Sequence, residues 1–486
     1  MESSPSAMLK LLLPKTPFIL KTALSHSIGM SETSSKWDLR TELTIKILRD
    51  MLGPNQKKLT PITKMQHLTT KDQGVKGKIW ASKVKLEVPG EDDVRQLVFK
   101  IIEEMGDGTE KWSKCEMSGV EGEWHGGRAG VSDTEPEPAA LSEPEKFENL
   151  MKEVTSKVTL LYFHGGAMYL LDPATYRHVT GKLARMTGGR VFSVRYRLAP
   201  QHAFPAAIID AFMAYLSLLH PPPGAPHGPV PASEIVFGGD SAGGLLCTSL
   251  TQLLLQIHRS HSGPGLPTVR WYGKDVEIPL PAGLALSSPW LDITRSLPSM
   301  EGLAKYDYLP PPSHTAGMNY PSDAAWPTNP PRADIYCETE ALMHPLVSPV
   351  AAMDWRNAPP MFFGLGEEML RDEDAVLAKR LHAQGVTVRW REFEAMPHCF
   401  AMMLDSLSAS TTFFDEFTKF CSEVVGGKVT SSDAEKLAAK TLKRENLQFG
   451  NITDITDEDV TKYMREGKGR IEKKGETAAT EAKPML

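Results

Sequence analysis

The sequence has little of what marks several large classes of protein. Its 486 residues include only five cysteines, widely spaced and without a CxxC pair. This argues against a disulfide framework and against a four-cysteine zinc site. Basic and acidic residues nearly balance, at 54 and 60, and no basic block occurs, so nucleic acid is not an expected partner. No apolar stretch reaches the roughly 18 residues of a membrane span.

The N-terminal stretch 8–24, MLKLLLPKTPFILKTAL, comes closest to a membrane segment. Charged residues and prolines interrupt it too often for a secretory signal or a span: Lys10, Pro14, Lys15, Pro17 and Lys21. It can lie on a lipid surface or pack against the body of the protein, and both alternatives stay open. With so few cysteines, we expect a cytoplasmic protein, and loose membrane association through this segment is the alternative.

The chain divides into three parts by composition. We expect an N-terminal segment with cap helices over 1–75, one of them at 37–52, a core over 76–427 and a hydrophilic tail over 428–486 with a short helix near 432–446. Two stretches interrupt the core. Residues 105–150 are rich in Gly, Glu, Ser and Pro, which predicts a solvated, partly disordered insertion, and residues 295–345 predict a cap insertion.

Within the core, apolar runs alternate with helical patterns. The predicted strands are 158–164, 190–197, 234–241, 280–290, 361–368 and 386–394, after an earlier pair at 78–89 and 94–104. Helices are predicted at 174–188, at 205–219 and from Ala242 onward. Strands without polar alternation, separated by helices, indicate an α/β fold whose mostly parallel sheet is covered on both faces.

The strongest chemical signal is the pentapeptide Gly239-Asp240-Ser241-Ala242-Gly243, between a predicted strand and a predicted helix. G-x-S-x-G in this context is typical of a nucleophile elbow, in which a tight turn lifts the serine hydroxyl clear of the sheet. Glycines at both ends let the chain pass closely. Ser241 is therefore the candidate nucleophile.

A second signal, His164-Gly165-Gly166-Ala167, directly follows the strand VTLLYF. Glycines there let backbone N–H groups approach a ligand, as the oxyanion of acyl transfer requires. The N–H groups of Gly166 and Ala167, with that of Ala242, would bind the oxyanion. A second HGG triplet at 125–127 lies in the polar insertion, and we discount it.

The candidate base is His398, in a loop after the last predicted strand. An acid is needed to orient its imidazole, and Asp or Glu can serve. Residue chemistry leaves the choice open among Glu368, Asp372 and Asp292, all of which follow predicted strands.

Six motifs in order resemble the hormone-sensitive-lipase-like family of α/β-hydrolases, which includes arylacetamide-deacetylase-like and steryl-acetyl-hydrolase-like enzymes. They are HGGA, YRLAPQHAFPAA, GDSAGG, SPWLDIT, MLRDE and MPHCF, between about 155 and 425. The resemblance implies an eight-stranded, mostly parallel sheet with helices on both faces, and a cap built from the N-terminal helices and an insertion. It also implies Ser241 as nucleophile, His398 as base and oxyanion donors at Gly165, Gly166 and Ala167.

The resemblance also bears on the acid. The family's D-P-L-x-D stretch reads Glu368-Met369-Leu370-Arg371-Asp372 here. Glu368 thus stands at the place of the acid, which departs from the usual Asp, and Asp372 matches the second carboxylate and stays the alternative.

These features predict a serine carboxylic-ester hydrolase that acts through an acyl-serine on a small-to-medium apolar ester, without metal or organic cofactor. Aromatic residues of the 295–345 insertion, among them Tyr308 and Tyr320, suggest the apolar substrate group. Two alternatives remain: an amidase or peptidase with the same three residues, and a non-catalytic ligand-binding protein of the same fold. The sequence leaves the oligomeric state open.

Overall fold

The computed structural model describes residues 12–52, 59–315 and 320–481. The first part of the N-terminal apolar stretch lies outside the described residues.

The described chain alternates strands and helices through most of its length. The strands are β1 (Ile79–Lys85), β2 (Glu121–Gly127), β3 (Thr159–Phe163), β4 (Arg190–Val194), β5 (Ile235–Asp240), β6 (Thr268–Trp271), β7 (Lys274–Glu277), β8 (Gly283–Ser287), β9 (Met361–Gly366), β10 (Val388–Phe393), β11 (Asp433–Leu437) and β12 (Arg444–Asn446). The α-helices are α1 (Thr16–Ser27), α2 (Leu39–Leu52), α3 (Ile62–Thr69), α4 (Asp93–Met105), α5 (Glu143–Lys152), α6 (Pro173–Thr187), α7 (Ala206–Leu219), α8 (Ala242–Ser260), α9 (Ser299–Gly302), α10 (Pro312–Thr315), α11 (Arg371–Ala383), α12 (Phe400–Met403), α13 (Ser408–Val425) and α14 (Asp457–Glu481).

One large sheet organises the molecule, in the order β1-β2-β4-β3-β5-β8-β9-β10-β11-β12. Seven neighbouring strands of this sheet, β4, β3, β5, β8, β9, β10 and β11, are parallel to one another. Strands β1, β2 and β12 pair with their neighbours in the antiparallel direction. The predicted mostly parallel sheet is therefore confirmed. Its first eight strands match the expected number, and β11 and β12 extend it by two. Strands β6 and β7 form a separate hairpin.

Apolar side chains cover both faces of the sheet. On one face, Leu161 and Phe163 of β3 lie in a core shared with α4, α7 and α8. On the other, Leu160 and Tyr162 pack in a core shared with α6 and α13. Because side chains alternate along a strand, a strand covered on both faces is buried at every residue, as β3 is.

The strand predicted at 94–104 is wrong, because this segment is helix α4. Its buried apolar residues recur at helical spacing: Val94, Val98, Ile101 and Ile102. β-branched residues are frequent in strands, but the one buried face of α4 fits a period of 3.6.

The prediction of a solvated insertion at 105–150 is also wrong, because this stretch supplies β2, an internal strand, and helix α5. Polar residues are buried there as pairs. Glu123 is fully buried, accepts two hydrogen bonds of 2.7 Å from the Arg177 guanidinium, and lies 3.0 Å from His125 Nε2. Burial alone would raise the pKa of Glu123, but His125 and Arg177 lower it to about 2. Composition alone does not reveal such a strand, because its buried charged residue is paired with a residue of a different element, here α6.

The hydrophilic tail likewise belongs to the folded body, and the helix predicted at 432–446 is wrong. Strand β11 pairs in parallel with β10, and β12 forms the edge. Helix α14 buries Val460 and Met464. Further along, its Arg470 guanidinium donates to the carbonyl of Arg295, so the C-terminal helix contacts the start of the 295–345 insertion.

We predict that Leu437→Ala lowers the free energy of unfolding by about 2–4 kcal/mol, as core truncations do. Leu437 is 1% exposed, pairs with Phe393 and belongs to the core under α13. Glu445→Ala on the exposed β12 is the matched control and should cost less than about 0.5 kcal/mol. Urea unfolding of both variants measures the difference. Equal, small effects would mean that the tail is not part of the cooperative fold.

Candidate active site

Ser241 stands at the junction of β5 and α8 with φ 51° and ψ −119°, a conformation that non-glycine residues rarely adopt. It is half-buried, whereas every other residue from Ile235 to Leu255 is buried. A Cβ at Gly243 would lie 1.9 Å from the carbonyl oxygen of Phe163, so only glycine fits there. The turn therefore leaves Ser241 partly accessible to solvent within an otherwise buried segment, which is the arrangement expected of a nucleophile elbow.

The neighbouring Asp240 is buried and ties three segments to this turn. Its Oδ1 accepts hydrogen bonds from Tyr162 Oη at 2.7 Å and from the N–H of Gly165 at 3.2 Å. Its Oδ2 accepts one from Tyr176 Oη at 2.7 Å. Burial raises the pKa of Asp240, and the donated hydrogen bonds oppose that rise. The carboxyl group thereby fixes the 164–167 loop next to Ser241.

Three backbone N–H groups beside Ser241 are available to a ligand. Within the described residues, the amides of Gly166, Ala167 and Ala242 donate to no other group. Gly166 and Ala167 have φ of 111° and 52°, which turns this loop sharply after β3. The arrangement agrees with the oxyanion donors predicted at these three positions. Gly165 differs, because its N–H is used by Asp240; the prediction that Gly165 donates to the oxyanion is corrected.

His164 supports this loop rather than reaching the reacting atoms. Its ring stacks on Tyr196 with centroids 4.4 Å apart, and Nδ1 lies 2.7 Å from the carbonyl oxygen of Gly165. Tyr196 Oη donates to the His164 carbonyl at 2.7 Å. Burial lowers the pKa of His164 to about 4, so the ring is neutral at pH 7.

His398 and Glu368 meet at the opposite side of the site. His398 Nδ1 lies 3.3 Å from Glu368 Oε1, and both side chains are buried. The second oxygen of Glu368 accepts the N–H of Leu370 at 2.9 Å, at the start of α11. Burial disfavours the imidazolium, but neighbouring Cys399 and Glu368 outweigh it, and the pKa of His398 is well above 6.5. Because burial raises the pKa of the Cys399 thiol to about 11, that group is neutral, and we attribute the effect to the Glu368 carboxylate.

The structure brings only one of the three candidate acids to His398. Asp372 Oδ2 accepts the N–H of Ser299 at 2.8 Å instead. Asp292 is buried, and its two oxygens accept four hydrogen bonds from Thr294 and Ser296 within its own loop. Glu368 is therefore the candidate that the geometry supports.

Cys399 links the histidine loop to the serine turn. Its Sγ lies 3.5 Å from His398 Nε2 and 4.0 Å from Asp240 Oδ2, and its N–H donates to Ser288 Oγ at 3.3 Å. Within the described part of the chain, no hydrogen bond joins Ser241 Oγ to His398. Such bonds are often long without substrate.

Sequence reasoning missed two residues that reach this site from outside the core. Asp307, in the 295–345 insertion, accepts the N–H of Met369 beside Glu368 at 3.2 Å. Arg49 of α2 binds the carbonyl groups of residues 304, 305 and 307. Neither belongs to a recognisable motif, so no sequence signal identifies them. Tyr308, an aromatic of that insertion, lies with its ring 6.1 Å from that of His398.

Comparison with known proteins agrees with this architecture. A family model described as the alpha/beta hydrolase fold matches residues 160–402. An acetyl-hydrolase from Streptomyces hygroscopicus is 30% identical over 241 residues, which are 49% of this chain and 67% of that protein. The carboxylesterase NlhH from Mycobacterium tuberculosis is 31% identical over 262 residues, 52% of this chain and 70% of that protein. The chain thus belongs to the α/β-hydrolase fold family, and the resemblance drawn from its motifs is confirmed.

Two further matches cover different shares of the molecule. The carboxylic ester hydrolase LipN from Mycobacterium tuberculosis is 30% identical over 246 residues, and the chain spans 56% of that relative's length. The crystal structure of EstE5 soaked with p-nitrophenyl butyrate has a TM-score of 0.52 at 21% identity, and covers 79% of this chain and 98% of its own. At that identity it supports the fold alone.

Proposed function

We propose that the protein is a serine carboxylic-ester hydrolase, with Ser241 as nucleophile, His398 as base and Glu368 as the acid that orients it. One observation carries the proposal: a half-buried serine on a strained turn has beside it three amides, at Gly166, Ala167 and Ala242, that lack a partner among the described residues. Amides with no other acceptor around a solvent-accessible, half-buried serine are suited to a developing oxyanion. Relatives named acetyl-hydrolase and carboxylesterase agree with this chemistry.

In this mechanism Ser241 Oγ attacks the acyl carbon while His398 Nε2 takes its proton. The three amides stabilise the oxyanion, and His398 then protonates the departing alcohol. Water, deprotonated by the same imidazole, releases the acid from the acyl-serine. Glu368 holds Nδ1 and stabilises the imidazolium, in keeping with the raised pKa of His398.

The proposed substrates are small-to-medium apolar esters. Tyr308 lies beside His398, and Tyr320 Oη is 2.8 Å from the hydroxyl of Tyr169, just after the oxyanion loop. Aromatic side chains between the insertion and this loop favour an apolar acyl or alcohol group. A panel of p-nitrophenyl esters with acyl chains from C2 to C16 would define the preferred length.

Two other functions use the same fold, and simple assays separate them. An amidase would turn over a p-nitroanilide at a rate comparable to that of the matching ester. A ligand-binding protein would carry an unactivated serine that a fluorophosphonate does not label. The amides that lack a partner within the described residues and the His398–Glu368 contact favour catalysis over ligand binding. The relatives named acetyl-hydrolase and carboxylesterase favour ester over amide cleavage.

We predict that Ser241→Ala reduces ester turnover below about 10⁻³ of wild type, because the proposed acyl-enzyme forms on the Ser241 hydroxyl. Thermal unfolding should barely change, since the hydroxyl makes no hydrogen bond within the described chain. Fluorophosphonate labelling should disappear in parallel. Turnover that survives in this variant would remove Ser241 from the mechanism.

We predict that Glu368→Gln lowers kcat/KM on the order of 10²–10⁴-fold, since the amide stabilises the imidazolium poorly and can hold the wrong tautomer. Asp372→Asn, the matched control, should cost less than about tenfold because Asp372 binds Ser299 rather than His398. Steady-state kinetics on one ester measures both. A larger loss in Asp372→Asn would transfer the role to Asp372.

We further propose a cytoplasmic protein that makes peripheral contact with membranes through its N-terminal segment. Among the described residues, no helix is both long and apolar enough to cross a membrane. Helix α1 and the residue that follows it nevertheless expose apolar side chains along one side, with Leu20, Leu24 and Ile28 between 58% and 64% exposed. No acidic residue occurs between Glu2 and Glu32. An apolar face with lysines nearby suits an anionic lipid surface.

We predict that replacing Leu20 and Leu24 together by Glu weakens binding to phosphatidylcholine–phosphatidylglycerol vesicles at least about tenfold, because two exposed apolar anchors are lost. Met353→Glu, at a residue 54% exposed in another part of the chain, is the control and should bind as wild type does. Vesicle flotation measures binding. If the wild-type protein does not bind vesicles but self-associates through this face in gel filtration, the surface binds a second copy of the chain instead of a membrane.

A further inference from the structure

The proposed acid, Glu368, has a second carboxyl group behind it that comes from a different part of the chain. Asp307 is fully buried and lies in the loop before Tyr308. Its Oδ2 accepts the N–H of Met369 at 3.2 Å, and Glu368 Oε2 accepts the next N–H, of Leu370, at 2.9 Å. Two carboxyl groups therefore bind successive amides at the N-terminus of α11, where the helix dipole favours negative charge.

The position of Asp307 is determined by its own loop and by an N-terminal helix. Its Oδ1 accepts the N–H groups of Tyr308 at 2.7 Å and Leu309 at 3.2 Å. Arg49 of α2 donates to the Asp307 carbonyl at 2.8 Å and to two carbonyls of the preceding turn. A planar guanidinium that contacts three carbonyls of one turn holds that turn rigidly. The carboxyl group is thus placed with little freedom.

We propose that Asp307 is a positioning residue of the hydrolytic site: it holds the 368–370 turn and adds negative charge behind the Glu368–His398 pair. This inference rests on the proposed function, since it assigns a role within that reaction. A second carboxylate stabilises the imidazolium that forms when His398 takes the serine proton. Asp307 contacts no reacting atom.

The electrostatics agree with this placement. Burial first, and then the nearby Glu368, raise the pKa of Asp307 to about 6, whereas His398 opposes the rise. Within the part of the chain that the structure describes, Arg49 from α2, Arg295 and Tyr308 are further charged or titratable groups around Asp307. Asp307 is therefore largely ionised above pH 6, in the range where an imidazole with a raised pKa loses its proton.

The test is the pH dependence of kcat/KM for Asp307→Asn. The amide oxygen can still accept the Met369 N–H, whereas the NH₂ group then faces the N–H groups of Tyr308 and Leu309. The variant therefore removes the charge at nearly constant side-chain volume and gives up the second set of contacts. Without that charge the pKa of His398 falls, and the acid limb of the profile should move to lower pH by about 0.5 unit or more. The rate on the high-pH plateau should fall by less than about tenfold.

Two variants separate charge from structure. Asp307→Glu restores the charge and should return the acid limb toward its wild-type position. Asp372→Asn, which also removes a carboxylate near the start of α11 but one bound to Ser299, should leave the limb unchanged. If Asp307→Asn does not fold, as judged by thermal unfolding, Asp307→Ser serves instead, because it also removes the negative charge and should move the limb in the same direction.

The outcomes are distinct. An active wild-type enzyme whose acid limb stays in place in Asp307→Asn, or in Asp307→Ser where that replaces it, overturns the role of Asp307 and leaves the esterase intact. A limb that moves equally in Asp372→Asn overturns it as well, because the effect would then be general electrostatics. A wild-type protein that neither cleaves esters nor reacts with a fluorophosphonate refutes the proposed function itself.

Discussion

The site depends on one buried carboxyl group, that of Asp240. Its two oxygens receive two tyrosine hydroxyls and the N–H of Gly165, and the Cys399 thiol approaches it from the histidine loop. A carboxyl group without such donors would be costly to bury. Since each donor comes from a different segment, satisfying this one residue also brings the oxyanion loop and the histidine loop to Ser241. Asp240 thus acts through position and contacts no substrate.

The sequence was sufficient for those parts of the fold and site that depend on local chemistry. The turn at Ser241 and the loop after His164 require glycines at set spacings, and such spacings are visible in one sequence. Buried parallel strands such as β3 and β5 also stand out, because both faces are covered and the apolar run is continuous. Glu368 was only one candidate from residue chemistry, and the family motif singled it out.

The errors arose where the stabilising partner is distant in the chain. Strand β2 looks polar in the sequence, but Glu123 is paired with Arg177, 54 residues later, and His125 contacts Glu123 and Thr180. Strand β11, Asp-Ala-Glu-Lys-Leu, is mostly charged and becomes a strand because the edge of β10 is available to it. Helix α4 is predicted as a strand because Val and Ile are frequent in strands. Its buried residues recur at helical spacing, so burying one face requires a helix. The place of Asp307 is likewise a tertiary outcome that no local pattern encodes.

More carboxyl groups lie near the start of α11 than the proposed reaction needs, and they differ in their hydrogen-bond partners. Both oxygens of the buried Asp374 lack a hydrogen-bond partner within the described chain, and burial raises its pKa well above 3.8. Glu373 is also buried, with one oxygen unpartnered and its pKa well above 4.5. Both groups are therefore biased toward the neutral acid. Glu368 and Asp307 instead accept amides of the turn itself, so the negative charge that stabilises the imidazolium is concentrated on these two groups.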